Sequence, residues 1–332
     1  MSGEVSVGAE ILKSQGLVRM LYAWGLPSAL FVGAIWLFLL PQLGDSLSLS
    51  NGLAEDKKGL VFLALTGVLA LSLSLLSTML YRLLEGFIGP RCLQEWGIKR
   101  HTAKKKALAD AANKGTGWRG GFALGELSRY PKDDLQIVPT EFGNAIRAFE
   151  TYGKTRFNLD SQTLWHELFA VAPQYIQSEI NSARSSVECF VALVFLSGIF
   201  SFVCWSIIAC WVIGFIANLN SSIPVLGFIS LLVTFLFYRL AIRATDAWKY
   251  PIHALVNLGR VKLADSLGLR FPETLEEEKK MWLLVTRYAF WADTGLGKEL
   301  DSYRKPPTER RAEKCANGEG ENGGNSIDGE TP

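Results

Sequence analysis

Four long runs without a charged residue set the terms for this chain: Met20–Leu40, Leu60–Tyr81, Cys189–Ala217 and Ile223–Tyr238. A bilayer core about 30 Å thick takes roughly 20 apolar residues of helix to cross. Helix is the form such a segment takes, because backbone in hydrocarbon must satisfy its own hydrogen bonds. The first three runs have that length and contain no Asp, Glu, Lys, Arg or His. The fourth is shorter and is followed by Arg239. An arginine there can snorkel to the interface, extending the span to about Ala241. The expectation is an all-α integral membrane protein with four transmembrane helices. A helical cytoplasmic domain, built from the middle insert and the C-terminal region, would complete it.

The formal net charge of +2 conceals an uneven distribution. Between spans one and two, Asp45, Glu55 and Asp56 outweigh Lys57 and Lys58, and Asn218–Ser222 carries no charge. After span two come Arg82, Arg91, Lys99, Arg100, Lys104, Lys105 and Lys106, against Glu85 and Glu95. After span four come Arg239, Arg243, Lys249, Arg260 and Lys262, against Asp246. Positive flanks stay in the cytoplasm. A multi-pass protein of the cell membrane with both termini cytoplasmic follows. Neither outer loop holds a cysteine, and no C-x-x-C pair occurs, so no disulfide framework, metal or cofactor is expected. The first run is too long and begins too late for a cleaved signal peptide, and is read as a retained helix.

The chain divides into a lead (1–18), spans one and two with a short outer loop (19–85), a cytoplasmic insert (86–186), spans three and four (187–242), C-terminal helices (243–301) and a tail (302–332). The tail is rich in Gly, Asn, Glu and Pro, and such a composition predicts disorder. In the insert, Lys99–Asn113 reads as a short basic helix, Gly115–Gly125 as a loop and Pro131–Asp134 as a break. Thr140 can cap a helix whose apolar stripe is Phe142, Ala145, Ile146, Phe149 and Tyr152. A second helix follows Asp160, with Leu164, Leu168 and Val171 on one face. Past Pro173, Ile176, Ile180, Ala183 and Val187 align on a third, which runs unbroken into span three. Gln174–Ala217 as one helix would be about 66 Å long. Beyond span four the helix is expected to end at Tyr250–Pro251, with another over His253–Leu267. Thr274 and Glu277 form a capping box for a last helix striped by Met281, Leu284, Tyr288 and Trp291.

Local chemistry is sparse. Gly115-Thr-Gly117-Trp-Arg-Gly120 fits G-x-G-x-x-G, but that motif needs a preceding strand, and Lys104–Lys114 is polar and helical in pattern. His101, His166 and His253 have no ligand spacing between them, and no G-x-S-x-G elbow occurs. No enzymatic activity is expected. Lys99, Arg100, Lys104, Lys105 and Lys106 follow Trp96 just beyond span two, where basic residues meet anionic lipid headgroups; nucleic acid is not the expected partner. Gly67, Ala70, Ser74, Ser77 and Tyr81 share a face of span two, and Ser197, Ser201 and Cys204 one of span three. Such faces suit helix packing, or line a small channel or transporter.

Several segments together resemble a family of uncharacterised multi-span bacterial membrane proteins, mostly actinobacterial. They are Arg82-Leu-Leu-Glu85-Gly86-Phe87, Pro139-Thr140-Glu-Phe-Gly143-Asn144-Ala-Ile-Arg147-Ala148-Phe-Glu150, Phe157-Asn-Leu159-Asp160 before Trp165, and Leu255-Val-Asn257-Leu-Gly-Arg260. The central block is similar to the family's P-T-x-x-G-N-x-x-R-A-x-E. The chain departs from the pattern at Phe87, Phe157-Asn158, His166-Glu167 and Asn257. The resemblance implies the architecture above and no particular reaction. In the block, Gly143 lets a neighbouring backbone come close, and Asn144, Arg147 and Glu150 run along one flank of the helix. With Asp160 and Trp165 they form the candidate polar network, structural or interacting. The function expected is binding, of a cytoplasmic protein partner or of a second copy, with a channel and a lipid- or nucleotide-directed enzyme as alternatives.

Overall fold

The computed structural model describes residues 18–42, 55–215, 220–291, 295 and 297–306. The expectations for residues 1–17, for the outer loops at 43–54 and 216–219, for Cys315 and for the tail beyond 306 lie outside the described residues. Within them the chain is helical and forms no strand. Helix α1 is Val18–Leu39. It is followed by α2 (Glu55–Leu84), α3 (Arg91–Lys114), α4 (Trp118–Leu127), α5 (Glu141–Glu150), α6 (Tyr152–Phe157), α7 (Trp165–Val171), α8 (Gln174–Val212), α9 (Ser222–Ser266), α10 (Leu275–Trp291) and α11 (Gly297–Asp301). Four of them, α1, α2, α8 and α9, are long and apolar enough to cross a membrane.

Two compact units divide the chain. The first comprises Met1–Glu150 and Gln174–Ile252, the second Thr151–Pro173 and His253–Pro332.

In the first unit the four apolar helices pack through two clusters. Ala23 and Trp24 of α1 meet Ala70 and Leu73 of α2 and Ala192 and Leu196 of α8. Leu39 of α1 meets Phe200 and Cys204 of α8 and Ile223 of α9. So α1 and α8 run side by side in one direction, and α9 begins where both end. Ser197 and Ser201 use their hydroxyls between α8 and α9. Thr234 Oγ1 donates to Ser197 Oγ over 3.0 Å, and Ser201 Oγ to the Gly227 carbonyl over 3.3 Å. That face of span three is a helix-packing surface.

Proline shapes α1. Leu26 and Leu40 each donate to the carbonyl five residues back, forming π turns at Leu21–Gly25 and Ile35–Leu39. Each stands immediately before a proline, Pro27 or Pro41. A π turn widens the helix locally, where the ring would otherwise crowd the preceding turn.

Several elements differ from the sequence expectation. Helix α3 starts eight residues earlier than Lys99. The glycine-rich stretch is largely helix α4, because α3 and α4 pack closely across their turn: a Cβ at Gly120 would lie 2.3 Å from the Gly115 carbonyl oxygen. This packing, with a helix in place of a strand, leaves no nucleotide fingerprint. Helix α8 runs unbroken through 180–189 as expected, but ends at Val212. Gly214 there is left-handed, with φ +88°. Its N–H bonds the Trp211 carbonyl and that of Phe215 bonds Cys210, a glycine stop at the helix end. Helix α9 continues through Pro251, giving up one ladder bond rather than ending.

The second unit packs Leu159, Leu168, Leu255, Leu263, Met281 and Trp282, all buried. Thr274 caps α10 through the Glu277 N–H at 3.3 Å. The buried face of α10 is Glu278, Met281, Trp282 and Val285, whereas Tyr288 and Trp291 are exposed. Residues Tyr303 to Lys305, expected in the tail, pair with Gly268–Arg270 through main-chain hydrogen bonds.

Candidate functional site

The P-T-x-x-G-N-x-x-R block lies at the end of α2 and against Arg239, within α9. Thr140 Oγ1 accepts from the Gly143 N–H (3.0 Å) and donates to the Leu84 carbonyl (2.7 Å). One hydroxyl thus caps α5 and closes the end of α2. Glu141 accepts from Arg239 of α9 at 3.3 Å and pairs with Lys104 of α3 at 3.2 Å. Asn144 is fully buried. Its amide donates to the carbonyls of Val138 (2.8 Å) and Thr140 (2.6 Å), and its oxygen accepts from the Val138 N–H (3.0 Å). It pins the turn that leads into α5. Glycine permits the approach: a Cβ at Gly143 would sit 2.9 Å from the Glu85 carbonyl oxygen, and one at Gly97 2.5 Å from that of Pro139. The backbone that Gly143 admits is therefore that of Glu85.

On the outer flank of α5, Arg147 pairs with Glu150 at 3.4 Å. Its guanidinium lies 5.4 Å from the Phe87 ring centre. Arg147, Phe87, Gln94, Ile98 and the segment from Leu135 to Pro139 line a shallow pocket of about 240 Å³. Glu85 adjoins this cluster. Burial, then the Glu150 carboxylate, pushes its carboxyl up to about 7, against the pull of Arg147 and Arg82. A group that exchanges a proton near neutrality at the end of span two went unassigned in the sequence, although Glu85 lies in one of the resembling segments. Its signal was there: a carboxylate one residue past an apolar helix.

The five residues of the candidate network fall into two sets. Asn144, Arg147 and Glu150 belong to the first unit; Asp160 and Trp165 belong to the second. Asp160 accepts from the N–H groups of Gln162 (3.1 Å) and Thr163 (3.2 Å), shaping the turn before α7, and Lys154 stands 3.9 Å away. Trp165 stacks on Phe169 with ring centres 5.8 Å apart. The second unit has a charged centre that the sequence reading passed over. Arg260 Nε donates to Glu278 at 2.7 Å, while its guanidinium lies 4.3 Å from the Phe157 ring centre. Trp282 Nε1 donates to the same carboxylate at 3.3 Å.

The basic cluster is also divided. Lys104 is held by Glu141, and Lys105 by Asp134 and the Lys132 carbonyl. The Lys105 hydrogen bond holds the Asp134 carboxyl below the usual range. Lys99, Arg100 and Lys106 remain exposed, and Arg100 lies 5.3 Å from the Trp96 ring centre. Leu93 and Trp96 of α3, and Trp118, Phe122 and Leu124 of α4, are exposed as well. Burial lowers the pKa of His101, whose Nδ1 is 2.9 Å from the Tyr130 hydroxyl. His253 stacks on Tyr152 at 3.8 Å. Among the described residues no three His, Cys, Asp or Glu side chains cluster as metal ligands.

No protein family, curated protein or solved structure matches the chain.

Proposed function

We propose that this protein is a multi-pass protein of the cell membrane whose cytoplasmic helices form a docking platform, acting by binding a protein partner or a second copy of itself. The observation that carries the reading is the exposed pair Trp118 and Phe122, one turn apart on α4, with Trp96 exposed further along α3. Trp96 is 59%, Trp118 77% and Phe122 65% exposed. Exposed apolar patches of this kind mark protein or membrane contacts. The two helices are fixed to the span ends through Gly97 against Pro139, Lys104 to Glu141, and Arg129 to Asp246 at 3.0 Å. A rigid support with an aromatic outer face suits recognition. Lys99, Arg100 and Lys106 on α3 would meet anionic headgroups, adding about 1 kcal/mol each near the surface. The orientation, with this region inside, rests on the positive flanks, and membership of the motif-bearing bacterial family is part of the same proposal.

The test uses full-length protein in nanodiscs. A cysteine at Gly121, where a Cβ would meet open space, should crosslink to a second copy or to a co-purified protein. Trp118→Ser with Phe122→Ser should abolish the crosslink while leaving the fold intact. A face that crosslinks to nothing in native membranes, and whose double variant assembles like the wild type, would sink the reading.

A further inference from the structure

The pocket beside Arg147 joins one cation to an apolar wall. Arg147 is the one charged residue among the described residues that line it. Phe87, Ile98, Leu135, Ile137, Val138 and Pro139 supply the apolar lining, with Gln94 and Gln136 as its polar side chains. Three of these walls are open to solvent: Leu135 is 90%, Phe87 42% and Ile98 38% exposed. The Arg147 guanidinium lies 5.4 Å from the Phe87 ring centre.

The walls are held in place by the chain itself. Asn144 bonds both main-chain groups of Val138, and Gly97 admits the backbone of Pro139. Gln94 Nε2 donates to the carbonyls of Phe87 at 3.0 Å and Gly89 at 3.3 Å. Asp133 accepts from the Leu135 N–H at 2.9 Å. Lys105 of α3 anchors the same turn through the Lys132 carbonyl and Asp134. A hydrogen-bonded turn thus holds a leucine out in water. Apolar surface kept exposed around a preformed concavity marks a binding site.

We infer that this pocket binds a small carboxylic acid with an apolar body, its carboxylate on Arg147 and its body against Phe87, Ile98 and Leu135. One cation among apolar walls suits a single negative charge, and a phosphate dianion would find no second cation in the lining. Guanidinium and carboxylate match in fork geometry. The Arg147 pair with Glu150 is long, at 3.4 Å, and partly exposed on both sides. Such pairs contribute little, so an arriving carboxylate can share the guanidinium at small cost. Glu150 is not part of the lining. The pocket volume of about 240 Å³ equals roughly eight waters, which suits an acid of about ten non-hydrogen atoms, such as phenylacetate. The inference goes beyond the docking reading and stands apart from it, because Trp118 and Phe122 are not walls of this pocket.

The experiment titrates full-length protein in a neutral detergent with 4-fluorophenylacetate and, separately, with its uncharged amide, reading the bound fraction by fluorine NMR. Phenylacetate and acetate serve as competitors, and Arg147→Gln and Leu135→Ser are compared with wild type. The acid should bind saturably and be displaced by phenylacetate. Acetate, which has the carboxylate without the body, should compete poorly. The amide on wild type, and the acid on Arg147→Gln, should each bind about tenfold more weakly, as expected for a lost hydrogen bond between charged groups. Leu135→Ser should weaken the acid about fivefold through lost apolar contact. Leu135 is 90% exposed, so that variant keeps the fold and reads the site even if Arg147→Gln unfolds. Absence of saturable binding, an amide that binds as well as the acid, acetate that competes as well as phenylacetate, or a folded variant that binds like wild type overturns the inference.

Discussion

Glu85→Gln is the sharpest probe of the junction. The half-buried carboxyl is pushed from its ordinary value of 4.5 up to about 7 by burial and by Glu150, so folding favours its protonated form. The unfolded chain releases this proton at lower pH. The stabilisation is therefore fully present below about pH 4.5 and is lost as pH rises through about 7. At full strength the shift corresponds to about 3 kcal/mol. Partial exposure of the group reduces this to about 2 kcal/mol. Glutamine is neutral at every pH and close in shape to the protonated acid. Glu85→Gln should match wild type at pH 4 and exceed it at pH 8.5, by roughly 3 °C in unfolding temperature. Tryptophan fluorescence of the detergent-solubilised protein during heating reads this directly. Two variants that follow the same pH profile would refute the reasoning, because Glu85 would then be ionised at no cost in the folded state.

Other outcomes follow from the same geometry. Gly143→Ala and Gly97→Ala force a methyl against backbone of Glu85 and Pro139, and each should lower stability by about 1–3 kcal/mol in the same melt. Arg147→Ala removes a partly exposed ion pair and a contact with Phe87, costing about 1 kcal/mol; Arg147→Lys should restore only part of it, as measured by melting. Arg260→Ala strips the buried Glu278 of its cation and should cost about 3 kcal/mol, read by urea unfolding of the full chain; Arg260→Ala with Glu278→Gln should recover most of that. Reporters fused after Lys106 or Leu269 should score as cytoplasmic and one at Asn51 as external, and export of the Lys106 fusion would invert the topology.

The four long apolar helices were legible because the criterion is local: length and lack of charge suffice. The stripe of α5 and the Thr140 cap were legible for the same reason. What failed depended on partners distant in sequence. Gly120 and Gly121 lower helix propensity by about 1 kcal/mol each, yet α4 forms because Gly120 fits against Gly115. For α10, the stripes Met281–Leu284–Tyr288 and Glu278–Met281–Trp282–Val285 are both helical in period. Arg260 decides between them by giving Glu278 a partner inside. The Arg19 to Glu188 pair joins residues 169 apart in sequence, and no pattern within either segment announces it.

In the proposed membrane topology, the charged residues at the ends of the apolar helices bear on how α5 moves with them. Moving a charge to the bilayer centre costs about 2.5–3.5 kcal/mol, so in that topology Arg239 and Glu85 would resist any inward slide of their helices. Thr140 and Glu141 are adjacent in sequence. One holds the end of α2 through the Leu84 carbonyl, and the other holds α9 through Arg239. If the two span ends separate, α5 must release one of them. Releasing Thr140 loses the bond to Leu84 and loosens the cap on α5, while releasing Glu141 leaves Lys104 as its remaining partner among those described. The second loss is the smaller, because the Arg239 contact is long and its side chain is 43% exposed. Helix α5 should therefore travel with α2 and part from α9. Spin labels on exposed positions of α2, α5 and α9 would test this: a constant α2 to α5 distance with a variable α5 to α9 distance fits, and the reverse pattern contradicts it.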